Sequence, residues 1–281
     1  MAASYRKGVF LMRKLFISVT VSIILLFNVA FTNAAGFDSQ TVFNTAGLVS
    51  GVIKVSFNTD SDKKLKVLVE KSGKNISYNL KNDGTVESFP LQLGNGDYKV
   101  SIMENIEGNR YKYVSTENVN LKLDDQKEVF LASVQNINWN SDMAAIGKAK
   151  ELTAGLKSDG EKVAATYNYI VNNFTYDYDK LSKLENDYIP DIDSTLAAGK
   201  GICYDYASLF AAMLRSEGIP AKLVKGYSEN VNGYHAWNEV FNSKTGSWEI
   251  YDTTYDSQMK AAKAKYNTVK KSSEYTKVNE Y

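Results

Sequence analysis

A single cysteine, Cys203, stands in this chain of 281 residues, so no disulfide can form within it. A fold without disulfides must be held by buried cores, and a chain of this length has room for two ordinary domains with such cores. The chain also has only one histidine, His235. A thiol and an imidazole can therefore meet in one pairing only, and that pairing is the first one to test for nucleophilic chemistry.

The N-terminal residues have the pattern of an export signal. Four basic residues come first, Arg6, Lys7, Arg13 and Lys14. An uncharged apolar run over 15–32 follows, and small residues at 33–35 offer a cleavage site. This pattern predicts a signal peptide over 1–35 and a secreted protein, extracellular or at the cell surface. The alternative is an uncleaved anchor, for which the apolar run is only marginally long; membrane contact is expected only in that case.

The charge balance argues against nucleic acid as a partner. The chain has 33 basic and 32 acidic residues, and the basic residues form no tract. A balanced surface attracts phosphate weakly, because no strong positive field builds up.

Residues 36–136 have the pattern of an all-β domain. Short runs with a period of two predict strands near 51–57, 65–69, 98–102 and 119–123. Turn-rich segments separate them at regular spacing, which favours a β-sandwich. The segment 96–100, which contains Tyr98, resembles the tyrosine-corner strand of immunoglobulin-like domains. No constellation of chemically active residues is present here. This domain is therefore expected to serve as a spacer, as a docking element or in binding to the cell wall.

The pattern becomes helical after a joint near 136–142. Val163, Tyr167, Ile170 and Phe174 share one face of a predicted helix. Two tyrosines that follow, Tyr176 and Tyr178, fit either the core or the wall of a site, and core packing is the default interpretation.

A second helix is predicted to begin near Cys203. It should end before Gly218 and Pro220, since glycine suits a left-handed cap and proline cannot continue a helix. Strands are predicted over 221–226, 234–241 and 248–252, and the last two should form an antiparallel hairpin. The last 20 or so residues are polar and are expected to be a helical or loose tail.

The hairpin should bring His235 and Asp252 together on one face, opposite or diagonal to each other. Asp252 could then fix the tautomer of the imidazole while the other ring nitrogen faces Cys203. A helix start favours negative charge and hence the thiolate form of a cysteine. Singly, each residue has an ordinary alternative: an inert buried cysteine, a core histidine beside a tryptophan, or a turn aspartate. The hypothesis depends on their joint placement.

Four ordered segments carry a resemblance to a known family. They read Gly-Lys-Gly-Ile-Cys-Tyr-Asp-Tyr-Ala over 199–207, Gly-Ile-Pro-Ala over 218–221, Tyr-His-Ala-Trp-Asn-Glu-Val over 234–240, and Trp-Glu-Ile-Tyr-Asp-Thr-Thr over 248–254. These segments, within about 140–258, resemble the transglutaminase-like superfamily, in the form of a bacterial exported member. The resemblance implies a papain-like α+β core with a helix-start cysteine packed on an antiparallel sheet, preceded by the immunoglobulin-like sandwich. It also implies a triad with Cys203 as nucleophile, His235 as general base and acid, and Asp252 as orienter.

The predicted function is therefore an exported acyl-transfer enzyme that attacks a protein or peptide amide and passes the acyl group to an amine or to water. Peptidase, amidohydrolase and transglutaminase activity stay open. No cofactor and no metal are expected, because one histidine and one cysteine cannot form a standard zinc set, and no calcium loop is present. The alternative is a non-catalytic binding module that docks on protein or on a cell-wall component. The predicted divisions are a signal peptide at 1–35, the sandwich at 36–136, the transglutaminase-like domain at 137–258 and a tail at 259–281.

Overall fold

The computed structural model describes residues 40–281 of the chain. The predicted signal peptide, residues 1–35, lies outside the described residues. In the described range, no helix is both long enough and apolar enough to cross a membrane.

The N-terminal part is all-β, as predicted. Its strands are β1 (Gln40–Asn44), β2 (Val52–Asn58), β3 (Leu65–Lys71), β4 (Lys74–Leu80), β5 (Glu87–Pro90), β6 (Gly96–Glu107) and β7 (Arg110–Leu121). They form two antiparallel sheets, with strand orders β1-β2-β5 and β4-β3-β6-β7. Along β4 the apolar residues Ile76, Tyr78 and Leu80 are buried and alternate with exposed polar ones, because successive side chains leave a strand on opposite faces.

Tyr98 is the residue that suggested a tyrosine corner. Its ring is buried, and its hydroxyl lies 2.7 Å from the carbonyl oxygen of Leu91 and 2.8 Å from that of Gly94. The hydroxyl thus bonds to backbone a few residues upstream, which is the contact that such a tyrosine makes. The immunoglobulin-like character of the whole region stays a prediction.

The rest of the chain combines helices with one larger antiparallel sheet. The helices are α1 (Ala144–Thr153), α2 (Asp159–Asn173), α3 (Tyr178–Ser182), α4 (Ile192–Ala198), α5 (Cys203–Ser216) and α6 (Thr253–Ala261). The strands are β8 (Thr175–Tyr176), β9 (Lys200–Gly201), β10 (Ala221–Ser228), β11 (Val231–Asn242), β12 (Ser247–Tyr251), β13 (Val269–Lys270) and β14 (Tyr275–Glu280). Short 3-10 turns span Ala46–Ser50, Gln126–Phe130 and Ser272–Glu274. The larger sheet has the order β13-β12-β11-β10-β14, and β8 pairs with β9 in parallel.

The two predicted helices are present. A capping box between Ser158 and Glu161 starts α2 four residues earlier than its apolar pattern begins. Helix α5 begins at Cys203, and Gly218, in the left-handed region with φ 78°, follows its end. The core interpretation of the two tyrosines after α2 is wrong for Tyr178, whose side chain is 67% exposed.

The C-terminal residues differ from the predicted helical or loose tail. Strand β14 lies antiparallel to β10 at the edge of the larger sheet. Tyr275, its first residue, packs in a buried cluster with Val224, Trp237 and Ile250. The prediction failed because most of this strand is polar and exposed, as suits an edge strand, and one buried aromatic gives no period.

Arg215 joins three parts of the chain. Its guanidinium is buried and donates to the carbonyl oxygens of Ala132 at 2.6 Å, Ala221 at 2.8 Å and Tyr281 at 2.9 Å. Ala132 lies in the segment after β7, Ala221 is in β10, and Tyr281 directly follows β14. The described residues, 40–281, fall within one compact unit; the predicted boundaries within it stay a prediction.

We expect Arg215→Met to lower the free energy of unfolding by about 3 to 5 kcal/mol, because it leaves three buried carbonyls without their charged donor. The matched control is Arg110→Met, since Arg110 pairs with Glu107 on the surface and should contribute less than about 1 kcal/mol. Denaturant titration of both variants measures the difference. Equal losses in the two variants would contradict a structural role for the buried guanidinium.

Candidate active site

His235 and Asp252 are in direct contact. Nε2 of His235 lies 2.8 Å from Oδ2 of Asp252, and both side chains are almost fully buried. The hairpin register explains the contact: Asn238 faces Tyr251, so Asp252 follows β12 at the level of the residues just after His235. The predicted diagonal placement is confirmed. The bond occupies Nε2 and leaves Nδ1 as the free ring nitrogen.

Asp252 makes two further contacts that hold it in place. Its Oδ1 accepts a hydrogen bond from the backbone N–H of Tyr255 at 3.0 Å and so caps the start of α6. Its Oδ2 also accepts from the hydroxyl of Tyr275 at 3.0 Å. One buried carboxylate therefore links the hairpin, a helix and the C-terminal strand, and side chains bonded on several sides keep a fixed orientation.

The environment of His235 favours its charged form. Burial by itself would lower the pKa of His235, but the charge of Asp252 and its hydrogen bond outweigh burial, and the Cys203 thiol adds a hydrogen bond and charge in the same direction. Together they raise the pKa of His235 to about 10. At neutral pH the ring is therefore an imidazolium between a carboxylate and a thiol.

Cys203 is the first residue of α5 and is half-buried. The loop that leads to it is fixed by Asp205, which is fully buried and accepts hydrogen bonds from the backbone N–H of Ile202 and from Nζ of Lys180, each at 2.8 Å. Gly201 is needed for this arrangement, since a Cβ there would lie 2.6 Å from the Cβ of Asp205. Gly201 thus makes room for the Asp205 side chain.

The lead-in segment is tied to the same loop. Tyr176 pairs with Gly201 between the short parallel strands β8 and β9, and the N–H of Asp177 donates to the Gly201 carbonyl at 2.9 Å. This pairing puts the Tyr176 side chain beside Cys203. Burial first, and then the charge of Cys203, raise the pKa of Tyr176 to about 12, so its hydroxyl stays protonated.

The two faces of β11 make different contacts, because successive side chains leave a strand on opposite faces. On one face, the Asn238 amide donates to the carbonyls of Ala207 in α5 at 2.9 Å and of Lys222 at 3.0 Å. On the other face, Trp237 packs edge to face on Tyr275 with ring centroids 5.0 Å apart, and its ring is stacked on that of His235. Trp237 is therefore a packing residue beside the imidazole.

A second buried carboxylate lies one helical turn beyond Asp252. Asp256 accepts a hydrogen bond from the Tyr167 hydroxyl at 2.6 Å and pairs with Lys270. Burial raises the pKa of Asp256 to about 6, although Lys270 and Tyr167 act against the rise. These contacts join α2, α6 and β13 behind the site and fix the helix that Asp252 caps.

Among residues 40–281, no group of three or more histidine, cysteine, aspartate or glutamate side chains is arranged to hold a metal ion. The donors around Cys203 are one thiol, one imidazole and hydrogen-bonded carboxylates. Each of these groups already has a partner in the contacts described above.

Residues 146–253 match the family model of the transglutaminase-like superfamily. This segment belongs to that superfamily. The match contains Cys203, His235 and Asp252, together with the helices and strands that carry them. The transglutaminase-like segment also agrees with the α+β class and the antiparallel sheet predicted from the sequence.

Relatives of known sequence match about a quarter to a third of the chain. UPF0252 protein MJ1282 of Methanocaldococcus jannaschii is 32% identical over 103 residues, which are 32% of this chain and 29% of that protein. The uncharacterized protein YebA of Bacillus subtilis is 33% identical over 114 residues, 34% of this chain and 15% of that protein. The chain spans less than a third of the length of the curated relatives it matches.

Solved structures show a weaker likeness. A protein of Cytophaga hutchinsonii, provisionally described as a cysteine protease, aligns with a TM-score of 0.41 and 20% identity over 69% of this chain and 67% of that one. Red sea bream transglutaminase aligns with a TM-score of 0.31 and 11% identity over 72% of this chain and 48% of that one.

Sequence reasoning missed Tyr275 and gave no role to Asp205. Asp205 had a readable signal, because an acidic residue at the third position of a helix commonly bonds back to the N–H before the helix. Tyr275 had none, since its contact with Asp252 depends on β14 joining the sheet.

The only histidine of the chain gives one pair of ring C–H signals in proton NMR, so its titration can be followed directly. We expect a midpoint at about 10 in the wild type. Asp252→Asn should lower it by about 1 to 3 pH units, because the neighbouring negative charge is removed. Since the folded pKa lies above the ordinary value of 6.5, the pair stabilises the fold fully below that pH, and the contribution is lost as the pH rises through about 10.

The control for this titration is Glu229→Gln, an equal change of charge at an exposed position between β10 and β11. It should leave the midpoint within a few tenths of a unit, since exposed charges are screened. A wild-type midpoint near 6.5 would contradict the ion pair described here.

Proposed function

We propose that this protein is a cysteine acyl-transfer enzyme that acts on an amide of a protein or peptide. Membership of residues 146–253 in the transglutaminase-like superfamily supports enzyme activity in general terms. The observation that carries the finer proposal is the 2.8 Å contact between Nε2 of His235 and Oδ2 of Asp252. It leaves Nδ1 of the only imidazole for the only thiol.

In the proposed reaction the Cys203 thiolate attacks the carbonyl carbon of the amide, and a C–S bond forms. The C–N bond breaks, and the His235 imidazolium gives its proton to the departing amine or ammonia. The thioester then accepts a second amine or a water molecule, whose proton passes to the neutral imidazole as the C–S bond breaks. Asp252 keeps the ring in the required tautomer.

The negative charge on the carbonyl oxygen needs donors in the transition state. The backbone N–H of Cys203 is one, because the first N–H groups of a helix have no partner within it. We assign the second to the hydroxyl of Tyr176, which lies beside Cys203 and stays protonated. Both donors sit on backbone that the β8–β9 pairing holds in place.

The proposed setting is outside the cell. The pattern over residues 1–35 supports export with cleavage, and membrane contact follows only if the segment remains attached. A protein or peptide is the proposed substrate. A cell-wall component is a second candidate partner, and the β region of residues 40–121 would bind it.

The test is an assay that separates the two acceptors. Casein is incubated with the protein and a dansylated alkylamine, and incorporation of the amine, release of ammonia and formation of fragments are measured together. Amine incorporation identifies a transglutaminase, and ammonia or fragments without incorporation identify a hydrolase. Cys203→Ala should reduce the observed activity by about 10³-fold or more, because the nucleophile is lost.

Labelling of Cys203 by iodoacetamide between pH 4 and pH 9 gives an answer that needs no substrate. Rapid labelling well below the ordinary free-thiol pKa of about 8.5, slowed in His235→Gln, is the result expected of a thiolate–imidazolium pair. Three results together would contradict the enzyme and support the binding module instead. They are labelling of Cys203 only after denaturation, no turnover in the casein assay, and tight binding to wall polymer.

Tyr176→Phe tests the second donor. Turnover should fall by about 10²-fold to 10³-fold, because one hydrogen bond to the developing oxyanion is lost, while KM changes little. Iodoacetamide labelling, which forms no oxyanion, should keep its wild-type rate. Tyr178→Phe is the matched control on the same segment, since that tyrosine is exposed. Equal turnover in the two variants would remove Tyr176 from the oxyanion site.

A further inference from the structure

Lys225 lies next to the proposed nucleophile without a role in the reaction described above. It precedes Gly226, the residue that pairs with His235 across β10 and β11. Its Nζ lies 3.4 Å from the ring centroid of Tyr204, which directly follows Cys203 in α5, and 5.3 Å from that of Tyr281. The ammonium is thus held between two aromatic rings at the N-terminal end of α5.

This ammonium has no carboxylate partner. In residues 40–281, no carboxylate forms an ion pair with Lys225 and no acceptor receives a hydrogen bond from its Nζ. Four other lysines in this part of the chain each pair with a carboxylate: Lys180 with Asp205, Lys200 with Asp177, Lys222 with Glu280 and Lys277 with Glu239. Lys225 has no such pair.

A half-buried cation without a carboxylate partner is costly to keep. Burial lowers the pKa of Lys225 to about 8, against the opposing effect of the Cys203 charge. Contact with the two aromatic faces offsets part of the cost. Among the described residues the cation makes no ion pair with a carboxylate and donates no hydrogen bond, so we interpret its position beside Cys203 as a site for a ligand carboxylate.

We propose that Lys225 is a specificity-determining residue that binds a carboxylate of the acyl donor, next to the amide that Cys203 attacks. The ligand class is an acidic peptide, and the carboxylate is either an acidic side chain or a free terminal carboxylate beside the reacting amide. The proposal rests on the proposed function, because it assigns a substrate to the same thiol. Its consequence is that neutral peptides are the poorer substrates.

The experiment compares two alkylating reagents of nearly equal size, iodoacetate and iodoacetamide, on the full chain. Cys203 is the only thiol, so each rate reports one site. The ratio of the iodoacetate rate to the iodoacetamide rate measures the preference for a carboxylate at the thiol. Because a unit charge close to the thiol changes the local potential, Lys225→Met should lower this ratio by about 3-fold to 10-fold.

Two variants control the measurement. Lys225→Arg keeps the charge and should keep the ratio. Lys244→Met changes the net charge equally, but at the exposed turn between β11 and β12, and should leave the ratio at its wild-type value. Thermal melting of each variant checks the fold. A ratio that is unchanged in folded Lys225→Met would overturn the proposal.

Substrate peptides distinguish the two sources of the carboxylate. Three peptides share one glutamine and differ in one group. The neutral peptide has a neighbouring Asn and an amidated terminus, and the second peptide replaces that Asn with Asp. The third keeps the Asn but has a free terminal carboxylate directly after the glutamine. Mass spectrometry measures deamidation or cleavage. Lys225→Met should raise KM by about fivefold for the peptide that uses the site and leave KM for the neutral peptide unchanged.

The outcomes separate the two proposals. If no peptide reacts but the alkylation ratio falls in Lys225→Met, the carboxylate site stands and the assigned chemistry fails on these substrates. If the peptides react with equal KM in wild type and Lys225→Met, the chemistry stands and the carboxylate site is rejected.

Discussion

The buried carboxylate of Asp252 is the interaction on which the site depends. One oxygen caps α6, and the other accepts from both His235 and Tyr275. A carboxylate with fewer donors would be expensive to bury, because desolvation of a charge must be offset by hydrogen bonds and opposite charge. The helix start, the imidazolium and the phenol supply these together. The same contacts that make the group tolerable in the interior also set its orientation toward the imidazole.

Around this carboxylate, the scaffold is held by polar contacts that cross long distances in sequence. Arg215 connects the segment after the β region to β10 and to Tyr281. The amide of Gln92 in the β region donates to the carbonyl of Glu280 at 2.9 Å. The β region therefore contacts the same C-terminal residues that complete the larger sheet. The packing of the β region therefore influences the position of β14 and, through β14, the position of Tyr275.

The sequence was informative where local rules dominate. The period of α2, the cysteine at the start of α5, and the hairpin that brings His235 to Asp252 follow from spacing and turn chemistry. The polar strand β14 and the contact of Tyr275 with Asp252 could not be predicted from the sequence, because an edge strand is defined by the neighbour it pairs with. The sequence did not predict a role for Lys225 for a related reason. A lysine without a partner looks the same in sequence as a lysine with one, and only the folded arrangement shows which carboxylates are within reach.

The position of β14 makes the His235–Asp252 pair dependent on a strand that follows it in the chain. Tyr275 reaches Asp252 only when β14 has paired with β10, and that pairing joins segments far apart in sequence. Contacts of this kind form late in folding, because the loop between them must first be closed. A chain that has folded through α6 but not yet docked β14 holds the Asp252 carboxylate without one of its three donors. The final orientation of the His235–Asp252 pair thus becomes a property of the finished fold.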